Sequence, residues 1–455
     1  MIFTTLSTLY FRHSLLGWAS PFTLISGPLA VPDWFWFVFI FAFGSCAGSF
    51  LNVVIYRLPR DKSIVTPPSA CPSCGRHIRF YDNIPLVSWL LLGAKCRYCK
   101  APIRPRYFVI ELLTGSVFLG LFILYFRSGF LPDMKPFLAG GWFIYLLHII
   151  LLGAFIAASA IDLELWVIPL SICWFVTVVG LFFSAIGIYI VEPEMVREYW
   201  LLPSATAKTG SLAIGAVIGL AVSLVLMFAG IIKRSYETEN VGRTTDDGGQ
   251  TTEVGGQKPV LCQESPELSE AEGSEDPASS STTPRQAEEI EEKSDPQFNH
   301  RLEACKEVVF LLPIVICSMA AFWLFGGNKW WVNFSQHPAV SGLMGSMWGY
   351  FIGCGIIWGI RIFGTFAFGK EAMGLGDVHL MGAAGAVVGP VFVVMAFFIA
   401  PFFGLAWAGF QMFSKKIRQI PYGPFLSIGI FVVMILHDRI RDYVRFILEP
   451  LIGNV

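Results

Sequence analysis

Charged side chains are scarce in this chain. Asp, Glu, Lys and Arg account for only 14% of its 455 residues, whereas 55% are hydrophobic and the mean hydropathy is +0.62. This composition excludes an ordinary soluble globular protein, in which roughly 25% of residues are charged. Several apolar runs reach the roughly 20 residues that a helix needs to cross a bilayer. We therefore expect an all-α polytopic membrane protein with about eight or nine transmembrane helices, since helices satisfy their own backbone hydrogen bonds in lipid.

The sequence also lacks a basic nucleic-acid-binding stripe and the pattern of a cleaved signal peptide. The net charge is −1, and no basic stripe of the kind that contacts nucleic-acid phosphates is present. Residues 1–32 also lack the basic-then-apolar order of a cleaved signal peptide, because Arg12, His13, Pro21 and Pro28 interrupt them. We predict membrane lipids, and no nucleic acid, among the partners.

The few charges are unevenly distributed. Residues 237–300 hold 16 acidic and 4 basic side chains, which leaves 17 acidic and 28 basic side chains elsewhere. We predict that this acidic segment is disordered, because it cannot bury enough apolar surface to offset the entropy cost of ordering. Residues 57–106 hold ten Lys or Arg against two Asp, and such an excess predicts a cytoplasmic loop.

These patterns divide the chain into seven parts. They are an N-terminal segment 1–33, a first transmembrane helix 34–56, a cytoplasmic four-cysteine zinc module 57–106, transmembrane helices 107–190, an inserted region 191–339 with two spans flanking the acidic segment, transmembrane helices 340–436, and a C-terminal tail 437–455. The inserted region is either a tolerated insertion or a regulatory or partner-docking element. Gly389-Pro390 divides a later apolar run, and the part before it is short enough to be a half-helix.

Two aspartates are the candidate catalytic residues. Asp162 ends the third apolar run, and Asp377 follows the seventh within Gly374-Leu375-Gly376-Asp377. Alternating the spans from a cytoplasmic 57–106 loop brings both to one membrane face. Two carboxylates held close cannot both ionise, so one can activate water while the other protonates a peptide carbonyl. The alternative is that each aspartate caps a helix at the interface. Glu164 is a third acid nearby, and we interpret it as a solvated interface residue.

Two Cys-x-x-Cys pairs form the candidate metal site. Cys71 and Cys74 are separated by 21 residues from Cys96 and Cys99. Four thiolates in this arrangement predict a tetrahedral structural zinc site that folds a small module. Disulfides are disfavoured in a cytoplasmic loop. His77 is not needed as a ligand, because four sulfurs complete the shell.

Arg106 and Glu111 are candidate support residues for the substrate site. Arg106 lies at the predicted start of the second span, and Glu111 lies inside it. Polar groups within a span commonly face a functional cavity. The alternative is a plain ion pair between the two. Gly374 and Gly376 are further candidates, because a glycine lets another backbone approach closely.

Together, these motifs closely resemble those of the type IV prepilin peptidases, bifunctional leader peptidase/N-methyltransferases of the Gly-x-Gly-Asp membrane aspartic protease class. The resemblance covers roughly 34–190 and 340–436. It is carried by 48–59, the four cysteines, 83–89, Arg106-Tyr107 with Glu111, Ile161-Asp162-Leu163 with Ile168-Pro169, 371–377, and 420–424.

The resemblance implies a substrate and a setting. The substrate would be a type IV prepilin or pilin-like precursor with a short basic leader, a Gly at the cut and a hydrophobic helix. Asp162 and Asp377 would cut it at the cytoplasmic face of the bacterial inner membrane, and the new amino terminus would be methylated from S-adenosylmethionine. The sequence assigns no residue to binding S-adenosylmethionine. The zinc module would serve methylation or substrate handling.

This chain departs from the family pattern at three positions. Glu164 and Leu170 stand where the family usually has aspartates, which leaves Asp162 as the only aspartate of its motif. His379 replaces the usual lysine after Gly-x-Gly-Asp. Two alternatives stay open: a peptidase without methyltransferase activity, and a transporter that uses the aspartates to bind an ion near the midplane.

Overall fold

The computed structural model describes residues 32–128, 137, 140–191, 202–233, 235, 300–413 and 421–452. The described residues form helices and two isolated β-bridges, with no strand. The predicted all-α fold is therefore confirmed. The predicted disorder of the acidic segment falls on residues 237–299, which lie outside the described ranges together with residues 1–31.

Twelve α-helices are present in the described part of the chain. They are α1 (Asp33–Arg57), α2 (Val87–Leu91), α3 (Arg106–Phe126), α4 (Gly141–Leu165), α5 (Leu170–Ile190), α6 (Ala207–Phe228), α7 (His300–Phe325), α8 (Lys329–Ser335), α9 (Pro338–Phe368), α10 (Leu375–Val388), α11 (Pro390–Phe413) and α12 (Gly423–Ile452). Eight of them are long and apolar enough to cross a membrane: α1, α3, α4, α5, α6, α7, α9 and α11. The apolar parts of α10 and α12 are shorter.

A short turn, residues 166–169, separates α4 from α5. Helix α4 ends because Trp166 adopts a left-handed conformation with φ of 57°. Pro169 then precedes α5 in an extended conformation, since proline cannot continue a helix from within. Helix α5 consequently begins at Leu170, and Ile168 lies in the connection.

Helix α10 is short and is enclosed by other helices. It ends at Gly389, whose φ of +86° suits glycine, and α11 begins at Pro390. Fourteen residues span about 21 Å, less than the hydrocarbon core of about 30 Å. Every residue from 380 to 389 is buried, so this helix packs against protein rather than lipid.

Close backbone contacts hold the helices together. A Cβ added to Gly349 would lie 2.0 Å from the carbonyl oxygen of Gly385, and one added to Gly353 would lie 2.2 Å from that of Met381. Helices α9 and α10 therefore touch along their backbones. Close approach of small residues is a principal source of helix association within membranes.

Side-chain bonds join several helix ends at one end of the bundle. This end carries Asp162 and Asp377 and is named the dyad end. Asn52 near the end of α1 donates from Nδ2 to the carbonyl of Tyr107 at 3.0 Å. Arg106 at the start of α3 bonds Glu164 at the end of α4 at 2.5 Å. Residues 58–105, which connect α1 to α3, thus lie at the same end as Asp162.

The C-terminal helix is longer than the predicted last span. The apolar part ends at Leu436, where the sequence predicted a boundary with a separate tail. Helix α12 instead continues to Ile452. Helical backbone bonding does not require an apolar sequence, so a loss of hydropathy alone does not end a helix.

Candidate active site

Asp162 lies in the last turn of α4 and is buried, with 5% of its surface exposed. The backbone amide of Gly423, the first residue of α12, donates a hydrogen bond to its carboxylate. The two residues are so close that a Cβ on Gly423 would lie 2.6 Å from Asp162 Oδ2. The start of α12 thereby fixes the orientation of this carboxylate.

Asp377 lies in the first turn of α10, three residues after the N-cap Gly374. The amide of Gly374 donates to the Asp377 carboxylate, as an acidic side chain at this position does in a capping box. Asp377 Oδ1 is buried and accepts no hydrogen bond from the described residues. One oxygen is thus held by its own helix, and the other is buried without a donor among the described residues.

The two aspartates come together at the dyad end. Gly376, next to Asp377, and Gly423, which contacts Asp162 Oδ2, both pack against Ile168, so the two carboxyls are near neighbours although 214 residues separate them in sequence and they belong to different helices. Like charges at short range disfavour double ionisation, and one carboxyl of such a pair retains its proton. The arrangement therefore has the parts of an acid–base pair.

Ile168 lies between the start of α10, which carries Asp377, and the start of α12, which contacts Asp162. A Cβ on Gly376 would lie 2.8 Å from Ile168 Cβ, and one on Gly423 would lie 3.1 Å from Ile168 Cδ1. Gly376 thus packs against the α4–α5 connection. Gly374, by contrast, has an ordinary extended conformation, and a Cβ there would meet Asp377 Oδ2 only at 3.7 Å.

Tyr422 adds a neutral hydroxyl beside the pair. Burial and the negative charge of Asp377 raise the pKa of Tyr422 to about 12, so the phenol is protonated at neutral pH. Tyr422 directly precedes Gly423, the first residue of α12.

Arg106 and Glu111 do not pair with each other. Arg106 bonds Glu164, and Glu111 accepts a 2.8 Å hydrogen bond from the amide of Leu86 in the 58–105 connection. Glu164 is therefore ion-paired rather than merely solvated. No described hydrogen bond joins Arg106 or Glu111 to either aspartate. Glu111 instead attaches the connection to α3, and Arg106 attaches the start of α3 to the end of α4, near Asp162.

The four cysteines converge as the spacing predicts. Their Sγ atoms all lie within 4.8 Å of one another, and Cys71 and Cys99 are 3.8 Å apart. A zinc ion with Zn–S bonds of about 2.3 Å requires sulfurs about 3.8 Å apart at tetrahedral corners. The donor set fits zinc, and His77 is not part of the cluster.

The two Cys-x-x-Cys turns have the same pattern of backbone hydrogen bonds. Cys71 N donates to Arg76 O and Gly75 N to Cys71 O, and the same two bonds recur from Cys96 N to Ala101 O and from Lys100 N to Cys96 O. Amide donors from Cys99 and Tyr98 lower the pKa of Cys96 to about 6. The turns thus present at least one thiol ready to ionise, the form that binds metal.

Sequence reasoning missed several residues of this end of the bundle. Ile168 and Gly423 belong to recognised motifs but received no role. Arg361, which is buried in α9 and bonds the loop before Asp377, was not among the predicted site residues. The signal that could have found it is an arginine inside an apolar run, which is a functional candidate by default.

Comparison with known proteins identifies two matching regions. Residues 42–125 match the bacterial peptidase A24 N-terminal domain, and residues 309–409 match the type IV leader peptidase family. The first region contains the four cysteines with Arg106 and Glu111, and the second contains Asp377. The second begins inside the region predicted as an insertion. Asp162 lies outside both.

Similar curated proteins carry names that agree with the matched family. The chain is 46% identical over 134 residues to a prepilin leader peptidase/N-methyltransferase of Myxococcus xanthus, a match that covers 30% of this chain and 36% of the relative. It is 30% identical over 247 residues to the protein of that name from Aeromonas hydrophila, a match that covers 44% of this chain and 79% of the relative. It is 36% identical over 171 residues to the protein of that name from Klebsiella pneumoniae, a match that covers 35% of this chain and 67% of the relative. No solved structure matches. The chain belongs to the type IV leader peptidase family.

Proposed function

We propose that the protein is a membrane aspartic endopeptidase that removes the leader of type IV prepilins or pilin-like subunits. The observation that carries this proposal is that the start of α10, with Asp377, and the start of α12, which contacts Asp162, both pack against Ile168 at one end of the bundle. The names of the relatives, prepilin leader peptidase/N-methyltransferase, support the choice of substrate.

The chemistry follows from sharing one proton between the two carboxyls. The ionised carboxylate takes a proton from water, and the resulting hydroxide attacks the scissile carbonyl carbon. The protonated carboxyl donates its proton to the carbonyl oxygen. When the tetrahedral intermediate collapses, the C–N bond breaks and the amine leaves with a proton from the pair.

The site suits a substrate that is itself a membrane helix. A precursor whose hydrophobic helix lies in the bilayer presents its leader junction at the membrane surface. The basic 57–106 region supports a cytoplasmic dyad end, and a cytoplasmic cut would leave the leader in the cytoplasm. The membrane would be the inner membrane of a bacterium.

A second activity, N-methylation of the new amino terminus, is part of the proposal. The relatives' names include this activity, and S-adenosylmethionine would supply the methyl group. Zinc held by Cys71, Cys74, Cys96 and Cys99 would fold the 58–105 connection, since structural zinc contributes folding energy. Glu111 would then seat that folded module on α3, which Arg106 joins to α4.

The test is cleavage of a purified prepilin in proteoliposomes by the full-length protein. Asp162→Asn and Asp377→Asn keep the size of each side chain but remove its ionisation, so we expect both to insert normally and to lose cleavage. Full activity in either variant would rule out the proposed pair. Mass analysis of the product with and without S-adenosylmethionine separates the activities, because an unmethylated terminus after normal cutting leaves only the peptidase.

A further inference from the structure

Arg361 is a buried charge that the proposed chemistry does not use. It lies in the second half of α9 with 1% of its side chain exposed. Its Nε is 3.0 Å from Glu307 Oε1 on α7, and that side chain is only 4% exposed. Trp358 donates to the other oxygen of Glu307 at 2.9 Å. Burying an ion pair costs desolvation energy that replacement by apolar residues avoids, so this pair calls for a reason other than stability.

The other side of the guanidinium faces the loop before Asp377. Arg361 Nη1 donates to Glu371 Oε1 at 2.5 Å and also to the carbonyl oxygen of Met373. This loop connects Gly369, which ends α9, to Gly374, which begins α10. A planar guanidinium can hold groups on two sides in fixed directions, which a lysine ammonium cannot.

One peptide group joins Arg361 to the catalytic acid. The carbonyl of Met373 and the amide of Gly374 belong to the same peptide bond, which is planar and rigid. Its oxygen accepts from Arg361, and its N–H donates to Asp377. A cation on the oxygen side polarises the peptide and strengthens the donor on the nitrogen side. Moving the guanidinium would therefore turn the amide that orients the carboxylate.

We propose that Arg361 is a positioning residue for catalysis: it orients the Asp377 carboxylate through the Met373–Gly374 peptide, and Glu307 holds it in place from α7. The inference rests on the proposed peptidase function for its effect on rate. It gives the helix that follows the acidic segment a direct connection to the active-site loop.

The test uses a charge-balanced variant, because Arg361→Met alone would leave Glu307 buried and unpaired. The double variant Arg361→Met/Glu307→Gln removes both charges together. We expect it to insert and fold, with kcat reduced about 10- to 100-fold by misplacement of the carboxylate and KM within about twofold of the starting protein. The matched control is Trp358→Phe, which removes a hydrogen bond to Glu307 and leaves the Met373 contact intact. We expect its kcat to be unchanged.

A second measurement is independent of activity. Hydrogen exchange of a peptide covering 369–376, followed by mass spectrometry in nanodiscs, reports the Gly374 amide. We expect faster exchange in the double variant than in Trp358→Phe. Unchanged kcat and unchanged exchange in the double variant would overturn the proposal, as would an equal loss of kcat in the Trp358 control.

The two proposals fail in different ways. If the starting protein does not cut prepilins, the peptidase assignment fails, and the exchange measurement still decides whether Arg361 holds the peptide. If Asp377→Asn abolishes cutting while the double variant retains full kcat, the peptidase assignment stands and Arg361 is only structural.

Discussion

At the residue scale, the site depends on contacts too close for a Cβ. Gly376 touches Ile168 Cβ and Gly423 touches Asp162 Oδ2, while Gly374 has room for a methyl group. The two glycines of Gly-x-Gly-Asp therefore have different tasks. Gly376 lets α10 approach the α4–α5 connection, and Gly374 supplies the amide that holds Asp377.

Gly376→Ala is expected to lower kcat about 100-fold, since the added Cβ must displace α10 from Ile168 and a shift of about 1 Å can cost that much. Gly374→Ala is the matched control, and we expect it to keep kcat within about tenfold because its amide still donates. Steady-state cleavage in proteoliposomes measures both. A larger loss in Gly374→Ala than in Gly376→Ala would instead favour close approach of the substrate backbone at Gly374.

How far the site was predictable depends on how local its signals are. Asp162, Asp377 and the cysteines stand out because acids beside apolar runs and paired thiols are unusual in any membrane chain. The pairing of Arg106 with Glu164 and that of Arg361 with Glu307 were not predictable, because the partners lie 58 and 54 residues away. A pattern within one helix does not specify which neighbouring helix faces it.

At the element scale, hydropathy predicted where helices lie but not how they end. Eight apolar stretches are helices long enough to cross a membrane, since about 20 apolar residues have no other stable form in lipid. The start of α5, the division at Gly389 and the continuation of α12 depend instead on single residues and on backbone conformation.

The α6–α7 pair offers a prediction about packing. A Cβ on Gly219 would lie 2.4 Å from the carbonyl oxygen of Pro313, so Gly219→Val must separate the two helices. We expect a loss of about 1–3 kcal/mol in stability, seen as a lower apparent melting temperature in detergent. Gly355→Val is the control, because nothing lies within 4 Å of a Cβ at Gly355. Equal melting temperatures for both variants would contradict the observed packing.

The cysteine module offers a prediction about metal. Purified protein is expected to hold about one zinc per chain, and Cys74→Ser should lose most of it because three thiolates leave the shell open. Elemental analysis by mass spectrometry measures the ratio. Cys317→Ser, which removes a cysteine outside the cluster, should retain the metal. Metal content that is unaffected by Cys74→Ser would show that the four sulfurs are not the ligands.

At the scale of the whole molecule, the bundle gathers its polar chemistry at one end. The start of α3, the end of α4, the start of α10 and the start of α12 meet there, together with the 58–105 connection. Arg361 and Glu307 extend this network to α9 and α7. Counting spans from one basic loop predicted that Asp162 and Asp377 share a face. It could not predict that the inserted region contributes Glu307 to the same network.

The pairing of α6 and α7 leads to a prediction about the acidic segment. Ser223 on α6 donates to the carbonyl of Phe310, and Ser318 on α7 donates to that of Leu212, so the two helices run antiparallel. The end of α6 and the start of α7 therefore lie at the same end of the bundle. A short Gly/Ser linker can replace residues 240–295 without moving Glu307, because shortening a loop changes closure entropy only slowly.

We expect that excision of 240–295 leaves kcat/KM for prepilin within about threefold, measured with the full-length protein in parallel. A variant of unchanged length, with the acidic residues of 240–295 replaced by Gln or Asn, separates charge from length. If both variants fold but lose at least about tenfold in kcat/KM, the negative charge takes part in substrate handling, and a basic leader is the group that it would attract. If only the excised variant loses activity, the linker strains α7, and the Glu307–Arg361 pair is one of the contacts that such strain would disturb.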